Sequence, residues 1–279
     1  MQKLIIFMLR LLSKLPLWMT HGLGKLLGWI IFFSNKKYAR LINQNLQSSQ
    51  LCPSNAAFKK TQCKNVGESG KALLETFAIW FKNYTKLKNL CQGCSGWEHV
   101  EKALNNKQGI IFLTPHLGCF EITSLYYGQF HPITVMFRPP RQSWLTPLIY
   151  EGRQRGQVSL APANQSGVKQ LLQALKRGEA VGILPDQAPL EGEGEWAPFF
   201  GRSAYTMTLA SKLANKTGAQ VLMAFGERLT MGRGYHIHIE PIQTSGIATP
   251  TLLNHEIEKM IAQCPAQYMW AYDRYKVRT

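Results

Sequence analysis

GIIFLTPHLGCFE, residues 109–121, decides the fold and locates the chemistry. Ile110 to Leu113 is a short apolar run without alternation, the pattern of a strand buried on both faces. Pro115 and Gly118 then interrupt the ladder. Glu121 falls where the first turn of a following helix is expected, so His116 leaves a buried strand inside a tight turn. Working outward, ITVMF (133–137), AVGILP (180–185), AQVLMAF (219–225) and YHIHIEPI (235–242) repeat the strand pattern. Residues 97–104, 146–155, 166–177, 205–217 and 252–264 carry helical rhythm, and 93–96 reads as a loop. Residues 36–90 read as helical, with Ala72, Leu73, Thr76, Phe77, Trp80 and Phe81 as an apolar stripe. Strands alternating with helices predict an α/β fold, a mostly parallel central sheet flanked by helices, with an antiparallel edge allowed. In such sheets chemistry gathers at the carboxyl ends of strands. His116, Arg138 and Asp186 all fall there.

The charge is uneven. The 279 residues carry 32 Lys and Arg against 16 Asp and Glu, a formal charge of +16. Ten of those cations (Lys3, Arg10, Lys14, Lys25, Lys36, Lys37, Arg40, Lys59, Lys60, Lys64) precede the first acid, Glu68. Such a field seeks polyanions. Residues 4–33 are strongly apolar, but no 18-residue window is free of charge. On a helical wheel Lys3, Arg10 and Lys14 lie within roughly 40° of one another, a narrow basic stripe on an apolar helix. Pro16 should break that helix, and Trp18 and Trp29 are candidate interface anchors. The expectation is a membrane-associated helical segment over 1–35 and a second unit over 36–279. The Lys36, Lys37, Arg40 cluster places that unit on the cytoplasmic side. No nucleic-acid recognition motif is present, so nucleic acid is not expected as a partner.

Four blocks carry candidate chemistry. In TPHLGCFE (114–121), His116 can take a proton from a hydroxyl near neutral pH. A carboxylate on its other ring nitrogen would fix the tautomer, and Glu121 is the candidate. No nucleophile elbow accompanies them, so the base would act on a substrate hydroxyl directly. In FRPPRQ (137–142), Arg138 follows a strand with Arg141 close behind, and Arg153 and Arg155 follow a helical stretch; guanidinium forks suit phosphate. In GILPDQAP (182–189), Asp186 and Gln187 could orient the arginine or a substrate. In WAPFFGR (196–202), after an acidic loop (Glu191, Glu193, Glu195), Phe199, Phe200 and Gly201 could wall an acyl channel.

The six cysteines (Cys52, Cys63, Cys91, Cys94, Cys119, Cys264) read as reduced, mostly buried thiols rather than a disulfide framework. Cys91-x-x-Cys94 before His99 lacks a second ligand pair, so no metal site is expected.

At these four blocks the chain resembles the late acyltransferases of lipid A biosynthesis, the lauroyl/myristoyl acyltransferase family, within the lysophospholipid acyltransferase superfamily. The lipid A branch carries His-x4-Glu, as His116 and Glu121 do. The resemblance continues through Arg138-Pro139, Asp186-Gln187 and Phe199-Phe200-Gly201. It closes at QYMWAYDRYK (267–276) with Gln267, Tyr268, Trp270 and Arg274. Cys119-Phe120 departs from the Asn-Trp more usual there. The similarity covers essentially the whole chain. It implies transfer of a fatty acyl group from acyl-acyl carrier protein to a hydroxyl of a phosphorylated lipid A precursor. The place implied is the cytoplasmic face of a bacterial inner membrane. The donor is a thioester, so no cofactor is implied. His116 would be the base and Glu121 its orienting partner, with Arg138, Asp186, Gln187, Phe199, Phe200 and Gly201 binding substrate. The same chemistry on another glycolipid, an ornithine-type lipid or a lysophospholipid is the alternative. A non-catalytic basic protein that binds membranes or nucleic acid would explain the charge but not the residues at the strand ends.

Overall fold

Ile110, Ile111, Phe112 and Leu113 are all buried, and their alternation divides them between two apolar cores. Ile110 and Phe112 join the core on one side of the sheet, Ile111 and Leu113 the core on the other. This follows from the computed structural model, which describes residues 2–140 and 142–276, without the side chains of Lys3 and Leu4. Arg141 therefore lies outside the described residues.

The helices are α1 (Gln2–Leu12), α2 (Leu17–Ser34), α3 (Lys36–Ser48), α4 (Asn55–Phe81), α5 (Tyr84–Lys88), α6 (Trp97–Asn105), α7 (Phe120–Tyr127), α8 (Thr146–Arg153), α9 (Gln165–Lys176), α10 (Leu209–Thr217) and α11 (Pro250–Gln263). The strands are β1 (Cys91–Ser95), β2 (Ile110–Leu113), β3 (Ile133–Phe137), β4 (Val158–Pro162), β5 (Ala180–Ile183), β6 (Gly194–Phe199), β7 (Arg202–Met207), β8 (Gln220–Arg228) and β9 (Tyr235–Ile242). Seven strands form the central sheet in the order β1-β9-β8-β2-β5-β3-β4. All neighbours are parallel except β8 and β9, so β9 and β1 run against the other five. Helices α6, α7 and α8 cover one face, and α9, α10 and α11 the other. Side-chain oxygens of Ser54, Asn164 and Thr249 cap α4, α9 and α11.

The α/β reading holds, with three local differences. Cys91–Ser95 is an edge strand rather than a loop, because β9 supplies its ladder although CQGCS has no apolar run. The helix expected from Tyr205 starts only at Leu209. Tyr205 and Thr206 belong to β7, which pairs with β6 in a hairpin. Phe200 and Gly201 form its two-residue turn at φ 46° and 72°. Val158–Pro162, not read as a strand from sequence, forms the opposite edge.

The N-terminal segment is two helices broken at Pro16. No helix among the described residues is long and apolar enough to cross a membrane. α2 has two opposed faces. Leu17, Thr20, His21, Gly24 and Gly28 are buried, while Trp18, Met19, Leu23, Leu26, Ile30 and Phe33 are exposed on the other side. The buried face meets α4 at backbone distance. A Cβ on Gly28 would stand 2.2 Å from the Val66 carbonyl oxygen, and one on Gly70 2.0 Å from that of Gly24. Arg10 of the basic stripe pairs with Glu151 of α8, one terminal nitrogen donating to both carboxylate oxygens at 2.9 and 2.7 Å.

Candidate active site

The register of β2 against β5 builds the site. Leu113 is paired with Ile183, and the Thr114 N–H donates to the Ile183 carbonyl at 2.9 Å. Both strands then run into an X-Pro step, Thr114-Pro115 and Leu184-Pro185. Proline has no N–H to continue the ladder, so the two chains part there. The next residue on each is polar, and they face one another: His116 and Asp186.

Asp186 holds His116 twice. Its Oδ1 accepts from the ring Nδ1 at 2.8 Å and its Oδ2 from the His116 backbone N–H at 2.9 Å. Burial pushes the Asp186 carboxyl up, but the His116 charge and the hydrogen bonds from ring and backbone outweigh it. The carboxyl stays below its ordinary range and is ionised at neutral pH. In the neutral ring, an ionised acceptor on Nδ1 places the lone pair on Nε2. That nitrogen meets the Gln187 side-chain amide at 3.1 Å.

The carboxylate bonded to the His116 ring is Asp186, where the His-x4-Glu spacing pointed to Glu121. On the first turn of α7, Glu121 points to α8 and α4. Arg153 grips it with Nε at 2.8 Å and a terminal nitrogen at 2.5 Å, and the Trp80 indole N–H donates to it at 3.1 Å. Buried Glu121 and half-buried Arg153 line a partly open cavity between α7 and the sheet. Most of its wall is apolar or aromatic, including Trp97, Phe112, Tyr126, Ile133, Val135 and Ile237. Phe120 joins cavity and imidazole, since it lines the cavity and its ring lies 4.7 Å from that of His116.

Phe199, Phe200 and Gly201 do not line that cavity. Their hairpin turns Phe199 into the other core, against Phe200 and Tyr275. The aromatics that do line the cavity come from β2, α6 and α7. Arg138 stands exposed just past the end of β3, and no hydrogen bond among the described residues joins it to Asp186. Arg155 is a structural cation, donating to the Ile79 and Lys82 carbonyls at the end of α4. Cys119 adjoins the site but is buried. Burial first, and the nearby Glu75 charge second, push its thiol well above the ordinary value, so it is a poor nucleophile.

The closing motif is a strap over the site. The Met269 N–H donates to the His116 carbonyl at 3.1 Å, and the Tyr272 hydroxyl accepts from the Ala188 N–H at 3.1 Å. Buried Asn45 and Asn65 hold the strap by the carbonyls of Tyr268, Trp270 and Tyr272. The Arg274 guanidinium donates to the Tyr205 carbonyl and the Thr206 hydroxyl.

The sequence profile described as bacterial lipid A biosynthesis acyltransferase matches residues 1–277. The chain belongs to that family. A lipid A biosynthesis lauroyltransferase of Escherichia coli (strain K12) is 28% identical over 274 residues, 96% of this chain and 89% of that protein. A palmitoleoyltransferase of the same strain is 26% identical over 252 residues, 87% of this chain and 80% of that protein. A lipid A biosynthesis acyltransferase of Haemophilus influenzae is 25% identical over 279 residues, covering 95% and 86%. Membership in the lipid A family carries O-acyl transfer in lipid A biosynthesis, with a glycolipid acceptor.

Proposed function

We propose that this lipid A acyltransferase moves a fatty acyl group from the thioester of acyl carrier protein to a hydroxyl of a phosphorylated lipid A precursor, with His116 as general base and Asp186 as its orienting partner. The observation that carries the reading is the 2.8 Å bond from the His116 ring to an ionised carboxylate, beside an apolar cavity. The acceptor hydroxyl displaces the Gln187 amide at Nε2 and gives its proton to the imidazole. The alkoxide oxygen attacks the thioester carbonyl. The tetrahedral intermediate collapses, the carbon–sulfur bond breaks, and the imidazolium returns its proton to the departing thiolate. N-terminal amides of α7 and the positive end of its dipole serve the oxyanion. Arg138, exposed at the same end of the sheet, meets acceptor phosphate. The cavity takes the apolar acyl chain, and the Glu121–Arg153 pair fixes α7 against α8 along its wall. No cofactor enters the scheme.

The same reading seats the protein on the cytoplasmic leaflet of the inner membrane through α2. Support comes from its exposed apolar face, with Trp18 61% and Phe33 76% exposed. Met231, 87% exposed in the β8–β9 connection beside Trp18, extends that face. Lys14, Lys25, Lys36 and Lys37 lie along these helices and are exposed to anionic headgroups.

The test is His116→Ala in a transfer assay with acyl-acyl carrier protein and a lipid A precursor. A loss of about 10²–10⁴ in rate with folding intact is expected. Near wild-type transfer would rule His116 out as the base.

A further inference from the structure

Behind the turn that carries His116 lies a second cluster of charge that the reaction scheme does not use. Arg228, the last residue of β8, is 4% exposed. Its Nε donates to Glu75 at 2.7 Å, one terminal nitrogen reaches Glu68 at 3.2 Å, and the other donates to the Gly118 carbonyl at 2.5 Å. The second Glu75 oxygen accepts from the Tyr235 hydroxyl and faces the His21 Nε2, both at 3.0 Å. The cluster thus runs from α2 through α4 to the turn between β2 and α7.

Gly118 is the hinge of that turn, at φ 59°. Its own two polar backbone atoms and the next N–H are held. Its N–H donates to the Gln267 carbonyl at 3.1 Å, its carbonyl accepts from Arg228, and the Cys119 N–H donates to the Gly226 carbonyl at 2.7 Å. The Gln267 side chain is in turn tied to the Arg228 backbone in both directions, at 2.8 and 3.0 Å. Buried ion pairs of this kind stabilise poorly compared with apolar packing, and their best-attested use is to select one geometry. Here the geometry selected is that of the peptide two residues after His116.

We propose that Arg228 is a positioning residue for the reaction: by holding the Gly118 carbonyl, with Glu75 fixing its guanidinium, it sets the direction of the His116 turn. This rests on the reading of His116 as the base. Arg228→Lys is the discriminating variant. Lysine keeps a cation beside Glu75 and Glu68 but cannot reach Gly118 in the same fork.

Two readouts are taken on the full-length protein. Backbone hydrogen exchange is followed over residues 116–120, and kcat and KM are measured with acyl-acyl carrier protein and a lipid A precursor. Positioning gives faster exchange in that segment and a fall of about tenfold or more in kcat, with KM within about threefold of wild type. Wild-type exchange and wild-type kcat in a folded Arg228→Lys protein would overturn the proposal. Should that variant not fold, Glu75→Gln decides on the same two readouts, a smaller shift in the same direction supporting and no shift overturning. If the wild type itself transfers no acyl group, the functional reading fails and exchange alone decides. Loosening at 116–120 then supports the positioning claim, and unchanged exchange overturns it.

Discussion

His116 on Asp186 and His21 on Glu75 are the same pairing at nearly the same length, 2.8 and 3.0 Å. Both carboxyls are pushed up by burial and brought back below their ordinary range by their partners, His116 for Asp186 and Arg228 with His21 for Glu75. Their surroundings separate them. Beyond the His116 ring lie Phe120 and an apolar cavity, and its second nitrogen meets a neutral amide that a hydroxyl can replace. Around Glu75 stand Arg228 and Tyr235, and His21 is walled in between α2 and α4. On the reaction proposed for His116, an imidazole held by a carboxylate is not enough to make a base. It also needs a lone pair that a substrate can reach.

The contrast can be broken by experiment. The largest effect expected is the His116→Ala loss of about 10²–10⁴ in transfer rate, measured beside His21→Ala, whose kcat should fall far less. Comparable losses in the two would erase the distinction. Next comes Asp186→Asn. An amide can donate to Nδ1 and leave the proton on Nε2, so a fall of about 10² or more in kcat is expected, with the thermal midpoint recorded alongside. His21→Ala should then show up in stability rather than chemistry, by about 1–3 kcal/mol in denaturant unfolding for the hydrogen bond removed at buried Glu75. The smallest effect is in acid. Because Asp186 and Glu75 both sit below their ordinary values when folded, the unfolded chain binds more protons at low pH. The stability they contribute is whole above about pH 5 and drains away as pH falls through the unfolded and then the folded values. Thermal midpoints from about pH 6 down to 2 should show that limb, and Asp186→Asn should flatten it. A limb of unchanged depth would detach Asp186 from it.

Much of this was legible in the chain. FLTPH and GILPD each join an apolar strand to a proline and a polar residue, and the strand-end rule brought His116, Arg138 and Asp186 to one end of the sheet. What the letters could not supply was that β2 and β5 are neighbours in matching register, which turns two separate strand ends into one contact. The His-x4-Glu spacing is real but misleads about the bond. Five residues across a turn carry Glu121 onto α7, where Arg153, 32 positions later, claims it. Arg228 and Glu75 left no local signal. They lie 153 positions apart, and a charged residue ending a strand reads as solvated until the sheet is assembled. The Phe-Phe-Gly block lies in a hairpin turn away from the cavity, because it is a turn signal as much as an apolar one.

The glycine contact between α2 and α4 leaves no slack between those two helices. α2 cannot pivot unless Gly24, Gly28 and Gly70 separate, so its tilt is also the tilt of the sheet. The bearing of His116 is inherited from whatever α2 rests on. Were the protein to lie on lipid by that helix, as proposed, sliding in the plane would carry His116 past successive acceptors at constant height, always facing the same way.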